Sequence, residues 1–241
     1  MIRWNSIRSL WMAAAFAAVA LLALACDGGG EAQPTATAEP ATGEVDVRDL
    51  LLLPEDVPPE LGQLSSPIVQ MAQEITEGIL NPEEQLEAIG TVTLEEAMAW
   101  GVVSSATQFH NSRGQYPTEG AQHIVVSVTL TDAVAGATAL FPFTTRILKR
   151  EAVAEYEAYP GRSVVEYEEL AEPTIGEESR MVHFISVDLD EPVRLEHYQL
   201  VFRRDRVVSL IQVRSPEGNV TLEQVTDLAD KLDGRIQDGL R

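Results

Sequence analysis

His197, Gln199 and Arg203 alternate along one segment of the chain, opposite Tyr198, Leu200 and Phe202, in the pattern of a strand with one polar and one apolar face. A second such segment offers His123, Ser127 and Thr129 on its polar side. If the apolar sides face the core, these groups line a common surface able to hold a polar or anionic ligand through imidazole, amide and guanidinium. His197, Gln199, Arg203 and His123 are therefore the candidate ligand-binding residues. Arg203, Arg204 and Arg206 also surround a turn, and Arg146, Lys149 and Arg150 share a helical segment, so either cluster could meet an anion or pair with local acids.

Residues for covalent chemistry are sparse. The four histidines, at 110, 123, 183 and 197, fall one to a segment, and the chain has no G-x-S-x-G, P-loop, dinucleotide or H-E-x-x-H pattern. Nothing here predicts a catalytic set, a cofactor or an enzyme. The acid cluster Asp188, Asp190 and Glu191 lacks the twelve-residue loop of a calcium site and reads as a solvated turn, so no metal is expected. The acids of "EYEEL" at 166–170 read as a solvated strand edge that discourages aggregation.

The single cysteine has a different setting. Residues 1–9 carry two arginines and no acid, and residues 10–25 are an unbroken, alanine-rich apolar run, short for a bilayer span. This is the layout of an export signal. Ala23, Leu24 and Ala25 lead into Cys26, and "DGGGEAQP" follows at once. In these residues the chain resembles bacterial lipoprotein precursors, whose signal ends before a cysteine that is acylated and becomes the new N-terminus. It departs at Ala23, where that family usually has leucine. The resemblance implies a lipid thioether at Cys26 and a second chain on its amine; two chains anchor stably where one binds marginally. The implied place is the extracytoplasmic side of the cell membrane, and the implied partner is that membrane.

Residues 26–46 hold Gly, Ala, Thr, Pro and Glu with hardly a large apolar side chain, which predicts a disordered tether spanning on the order of 25 Å. The remainder, 47–241, is sized for one domain. With 45% hydrophobic residues it can bury a core, and one cysteine allows no internal disulfide. The balance of 17 basic against 38 acidic residues, a net charge of −21, repels phosphate backbones and excludes nucleic acid as a natural partner.

Within that domain, 47–99 reads as a helical extension. An extended, proline-rich entry leads to a helix over about 68–80, and capping boxes stand at Asn81/Glu84 and Thr93/Glu96. Residues 100–241 read as a sheet and helix core. "HIVVSVTL" at 123–130 is a strand, and a helix follows, bent or broken at Pro142 and resumed over 144–156. "YPGR" marks a turn before strands at 163–170, 179–188, 194–203 and 206–214, the last two forming a hairpin at Arg204 and Asp205. Thr221 and Gln224 cap a final helix with Val225, Leu228, Ala229, Leu232 and Ile236 on one face, which makes Asn219-Val-Thr a turn and cap in preference to a glycosylation site.

The expected class is α+β, an antiparallel sheet packed by helices. In this element order, and in "YQLVFRRDRVVSLIQVRSPEGNVTLEQVTDLADKLDGRI", the chain is similar to extracytoplasmic lipoproteins and sensor domains with a Mog1/PsbP-like sandwich. That resemblance implies a non-catalytic binding or sensing module. An envelope protein that recognises another protein through a sheet edge is the alternative from a different class, and a hydrolase is a third.

Overall fold

Every strand of the sheet runs antiparallel to its neighbours. The computed structural model describes residues 45–71, 98–112, 117, 119–158, 162–171, 173–188 and 193–241. The strands are β1 (Ile68–Met71), β2 (Val102–Asn111), β3 (His123–Thr131), β4 (Arg162–Leu170), β5 (Glu178–Asp188), β6 (Val193–Arg204) and β7 (Val207–Pro216); the α-helices are α1 (Val134–Ala158) and α2 (Leu222–Gly239). They form one seven-stranded sheet in the order β1-β2-β3-β7-β6-β5-β4. After β3 the chain crosses by α1 to the far edge, and β4 to β7 meander back until β7 pairs with β3.

Strand alternation gives the sheet two unlike faces. On one, Ile124, Val126, Val128 and Leu130 of β3, Leu200 and Phe202 of β6, and Ile211 and Val213 of β7 are buried against Val225, Leu228, Leu232 and Ile236 of α2. The Thr221 hydroxyl accepts from the Gln224 amide and the Gln224 side chain accepts from the Thr221 amide, so the capping box expected from the sequence starts this helix. Arg204, just before the β6–β7 turn, pairs with Asp233 and fixes α2 to the hairpin. The turn itself has Asp205 at φ 52°, a left-handed conformation that aspartate tolerates.

On the other face α1 buries Ala137, Leu140 and Phe141 against Trp100, Val201, Val208 and Leu210. The sequence leaves open a break at Pro142, but α1 runs through it unbroken. The cost of the lost amide is local, and Leu140 and Phe141 just before it are anchored in the apolar cluster.

Residues 47–71 depart from the expected helical extension. They form three 3-10 turns, Val47–Leu50, Pro54–Asp56 and Pro59–Leu61, and Ile68–Met71 is the edge strand β1 where a helix was expected to start. Three consecutive leucines, Leu50, Leu51 and Leu52, join the same core as α2, and Lys231 and Arg235 of α2 bond the Asp56 carbonyl and carboxylate. Gly120, at φ 76°, lies so close to this segment that an added Cβ would stand 1.9 Å from the Glu60 carbonyl oxygen. The segment belongs to the core of the sheet and is no appendage. The capping boxes at Asn81 and Thr93, the tether and the 159–161 turn fall outside the described residues.

Because Leu228 is fully buried between α2 and the sheet, Leu228→Ala should lower unfolding stability by about 2–5 kcal/mol, whereas Leu222→Ala, on the exposed side of the same helix, should change it little. Denaturant titration of both variants checks this.

Candidate functional site

The strand register puts six side chains in one row across the sheet face that α1 partly covers. Asn111 pairs with His123, His123 with Arg214, Arg214 with His197, His197 with Phe184, and Phe184 with Tyr167. The next row runs Phe109, Val125, Gln212, Gln199, Val182 and Glu169. His123, His197 and Gln199, three of the four residues expected from the sequence, therefore share a patch. Arg214 and Gln212 join them unforeseen.

His197 is fixed tightly. Its ring stacks on Phe184 with centroids 4.2 Å apart and planes within 7°, and Nε2 lies 2.8 Å from the Ser186 hydroxyl. A serine beside a histidine is the start of a nucleophile and base arrangement. Ser186 is only 1% exposed and His197 5%, however, so the pair is walled in and serves to hold the ring in place.

Arg203 does not belong to the patch. It sits six residues further along β6, about 20 Å at the rise of a strand, and its guanidinium is bound by Glu177, Glu178 and the Asp205 carbonyl. The expectation that it lines a binding surface gives way to a structural role, because β5 brings two carboxylates beside it. Arg204 is spent on Asp233, so the arginines flanking the hairpin pair with local acids. Arg146 lies over the Phe143 ring. Ser127 and Thr129 are likewise withdrawn from the surface. They are 1% and 2% exposed, and their hydroxyls bond Thr107 and Ser105 across the β2–β3 pair.

The patch gathers several unpaired atoms, although Arg203 Nε, Ser209 Oγ and Ser215 Oγ outside it are unpaired too. His123 Nδ1, Arg214 Nε and Gln199 Oε1 are buried and have no hydrogen-bond partner. Each such atom costs about 1–3 kcal/mol unless something fills its need. Burial, with the Arg214 charge beside it, pushes the His123 imidazole down to about 3, so the ring is neutral at physiological pH. A backbone hydrogen bond with His110 acts in the opposite sense, as donation to a carbonyl does. Nδ1 has no partner, and with the ring proton on Nε2 it is an acceptor. The patch thus offers a guanidinium donor between two acceptors, over an apolar floor of Val125 and Val182. No cluster of His, Cys, Asp and Glu able to hold a metal occurs among the described residues.

A second polar cluster lies on the α2 face. The Glu196 carboxylate accepts from the Tyr198 hydroxyl, the Gly218 amide and His183 Nε2, and His183 stacks on Tyr198. It fastens the turn after β7 to the sheet. Its hydrogen bonds are made within the protein, which gives it nothing to offer a ligand.

The lowered His123 value has a consequence for stability. The unfolded chain takes up a proton near the ordinary value of 6.5 and the folded chain only near 3, so stability falls as pH drops through that window, by up to about 1.4 kcal/mol per pH unit. His123→Asn should remove close to one proton from the slope of unfolding free energy between about pH 6 and pH 4. Asp46, Asp56 and Glu177, whose carboxyls are held low by Arg48, Arg235 and Arg203, contribute acid sensitivity equally to both proteins, so the difference in slope reports His123.

No family model matches the chain, and no curated protein matches it. Among solved structures it is similar to the extracellular domain of PknH from Mycobacterium tuberculosis, at 12% identity and a TM-score of 0.46, over 78% of this chain and 93% of that one. It is also similar to the Rv0999 ortholog from Mycobacterium smegmatis, at 13% identity and a TM-score of 0.37, over 82% of this chain and 98% of that one.

Proposed function

We propose that this protein is an extracytoplasmic lipoprotein, anchored in the cell membrane through acylated Cys26, whose α+β domain is a non-catalytic module that binds a polar ligand. The observation that carries the binding function is the set of buried, unpaired polar atoms of His123, Arg214 and Gln199, gathered on one sheet face. Natural interiors leave few polar atoms unmet, and those that gather at one place mark where a bound group would complete them. What supports the anchor is the sequence: a basic start, an apolar run of 16 residues and small residues leading to the one cysteine. Among the described residues no helix is long and apolar enough to cross a membrane.

A protein-recognition function has one observation in its favour. β4 is an edge strand on which Val165 and Tyr167 are exposed. Glu166, Glu168 and Glu169 line the same strand and discourage pairing with another edge, which favours the ligand-binding module.

Mass spectrometry of the membrane-extracted protein tests both halves. Under denaturing conditions the wild type should have lost residues 1–25 and gained acyl mass, and Cys26→Ala should show neither change. Under native conditions the wild type should carry a non-covalent small-molecule adduct that Gln199→Leu loses. An unmodified full-length mass removes the anchor, and the absence of any adduct removes the binding module.

A further inference from the structure

The polar groups of this sheet face are largely satisfied from within: Ser105 with Thr129, Thr107 with Ser127, Ser186 with His197, and the Arg203 guanidinium with Glu177 and Glu178. Arg203 Nε apart, the unpaired atoms of this face among the described residues meet on three adjacent strands. His123 on β3 and Gln199 on β6 flank Arg214 on β7, one in the same row and one in the next. Strands stand about 4.8 Å apart, so His123 and Gln199 are separated by two spacings, about 10 Å, and a small molecule seated over Arg214 lies between them.

The demands of these atoms are specific. Among the described residues no carboxylate pairs with Arg214; its cross-strand neighbours are two histidines. A guanidinium is best completed by a carboxylate, which accepts two of its N–H bonds in one plane. His123 Nδ1 and Gln199 Oε1 are acceptors, and each needs a donor. A bare anion would satisfy the arginine and leave both acceptors empty. A neutral donor such as an alcohol would do the reverse.

Resting on the binding-module reading above, we infer that this patch receives a small α-amino or α-hydroxy acid. Its carboxylate lies on Arg214; an ammonium beside it donates to both His123 Nδ1 and Gln199 Oε1, whereas a hydroxyl, with its single proton, donates to one of them.

The test is the thermal unfolding midpoint of the full chain in detergent, at fixed ionic strength, with glycine, glycolate, acetate or ethanolamine added. Glycine or glycolate should raise the midpoint, acetate less, and ethanolamine not at all. Whichever of the first two acts identifies the donor as ammonium or hydroxyl. Arg214→Gln should abolish the response, and Gln199→Leu should reduce the response to glycine. Arg206→Gln, which removes the same charge at the hairpin turn, should respond as the wild type does. The midpoint of each variant without additive shows whether it folds, and Arg214→Lys, which keeps charge but loses the fork, serves if Arg214→Gln does not. A response that survives Arg214→Gln, or responses to glycine and glycolate that both only match acetate, overturns the inference. So does a native adduct that Gln199→Leu loses but Arg214→Gln retains, in which case the binding module stands with a ligand of another class.

Discussion

The pairing of β3 with β7 is the seam on which the molecule depends. It joins residues 123–130 to residues 207–214 and so unites the β1-β2-β3 part of the sheet with the β4–β7 meander. Closing so long a loop costs entropy before any contact compensates it. The compensation is concentrated at the seam itself: Ile124, Val126 and Val128 from one strand and Ile211 and Val213 from the other fall in one cluster with α2. The same register sets His123 beside Arg214. A slip of one residue would turn Arg214 into the α2 core and Val213 out onto the polar face. The hydrophobic pattern that protects the fold therefore also protects the patch.

The two faces of the sheet solve burial differently. Under α2 the solution is apolar area, with the Glu196 cluster closing one end through bonds from Tyr198, His183 and Gly218. Toward α1 the buried surface is mixed, and polar groups there must be matched one by one. The hydroxyl pairs of β2 and β3 and the carboxylates around Arg203 do so within the protein. Arg203 Nε apart, the unmatched atoms of that face among the described residues are those of His123, Arg214 and Gln199.

Much of the fold was legible where the signal is local. Alternation located β3 to β7, and the Thr221 and Gln224 pair located the start of α2. β2 escaped notice because "SSATQ" is small and polar on both faces; its strand is held by cross-strand hydroxyl bonds, which leave no hydrophobic period to read. The leucines at 50–52 open the stretch that reads as an extended entry, and their place in the sheet core was not legible, since a 3-10 turn and an extended exit bury neighbours with no regular period. In the site, His123, His197 and Gln199 followed from strand period alone. Arg214 did not, although "LIQVR" places it on the polar side, because its importance rests on standing between two strands that only the sheet order brings together. Arg203 drew attention for its charge, and its acids lie 25 and 26 residues earlier in sequence.

The isolation of Arg214 is not a shortage of acids. The chain has 38 acidic residues for 17 basic ones, and Arg48, Arg194, Arg203, Arg204 and Arg235 each hold a carboxylate. Position decides which arginine goes without. Arg203 and Arg204 stand near the β6–β7 turn, where the start of β5 and the exposed side of α2 supply acids. Arg214 stands across from the middle of β6 and the start of β3, where the facing side chains are imidazoles and β5 contributes Phe184. A glutamate in place of His197 would give it a partner and stabilise the sheet by an ordinary ion pair. The histidine instead spends its nitrogen on Ser186 and its ring on Phe184, which keeps a rigid wall beside the guanidinium and gives it no carboxylate among the described residues. In the proposed reading, an arrangement that forgoes a stabilising pair while fixing the surrounding groups would be organised toward a bound molecule, at the expense of the empty fold.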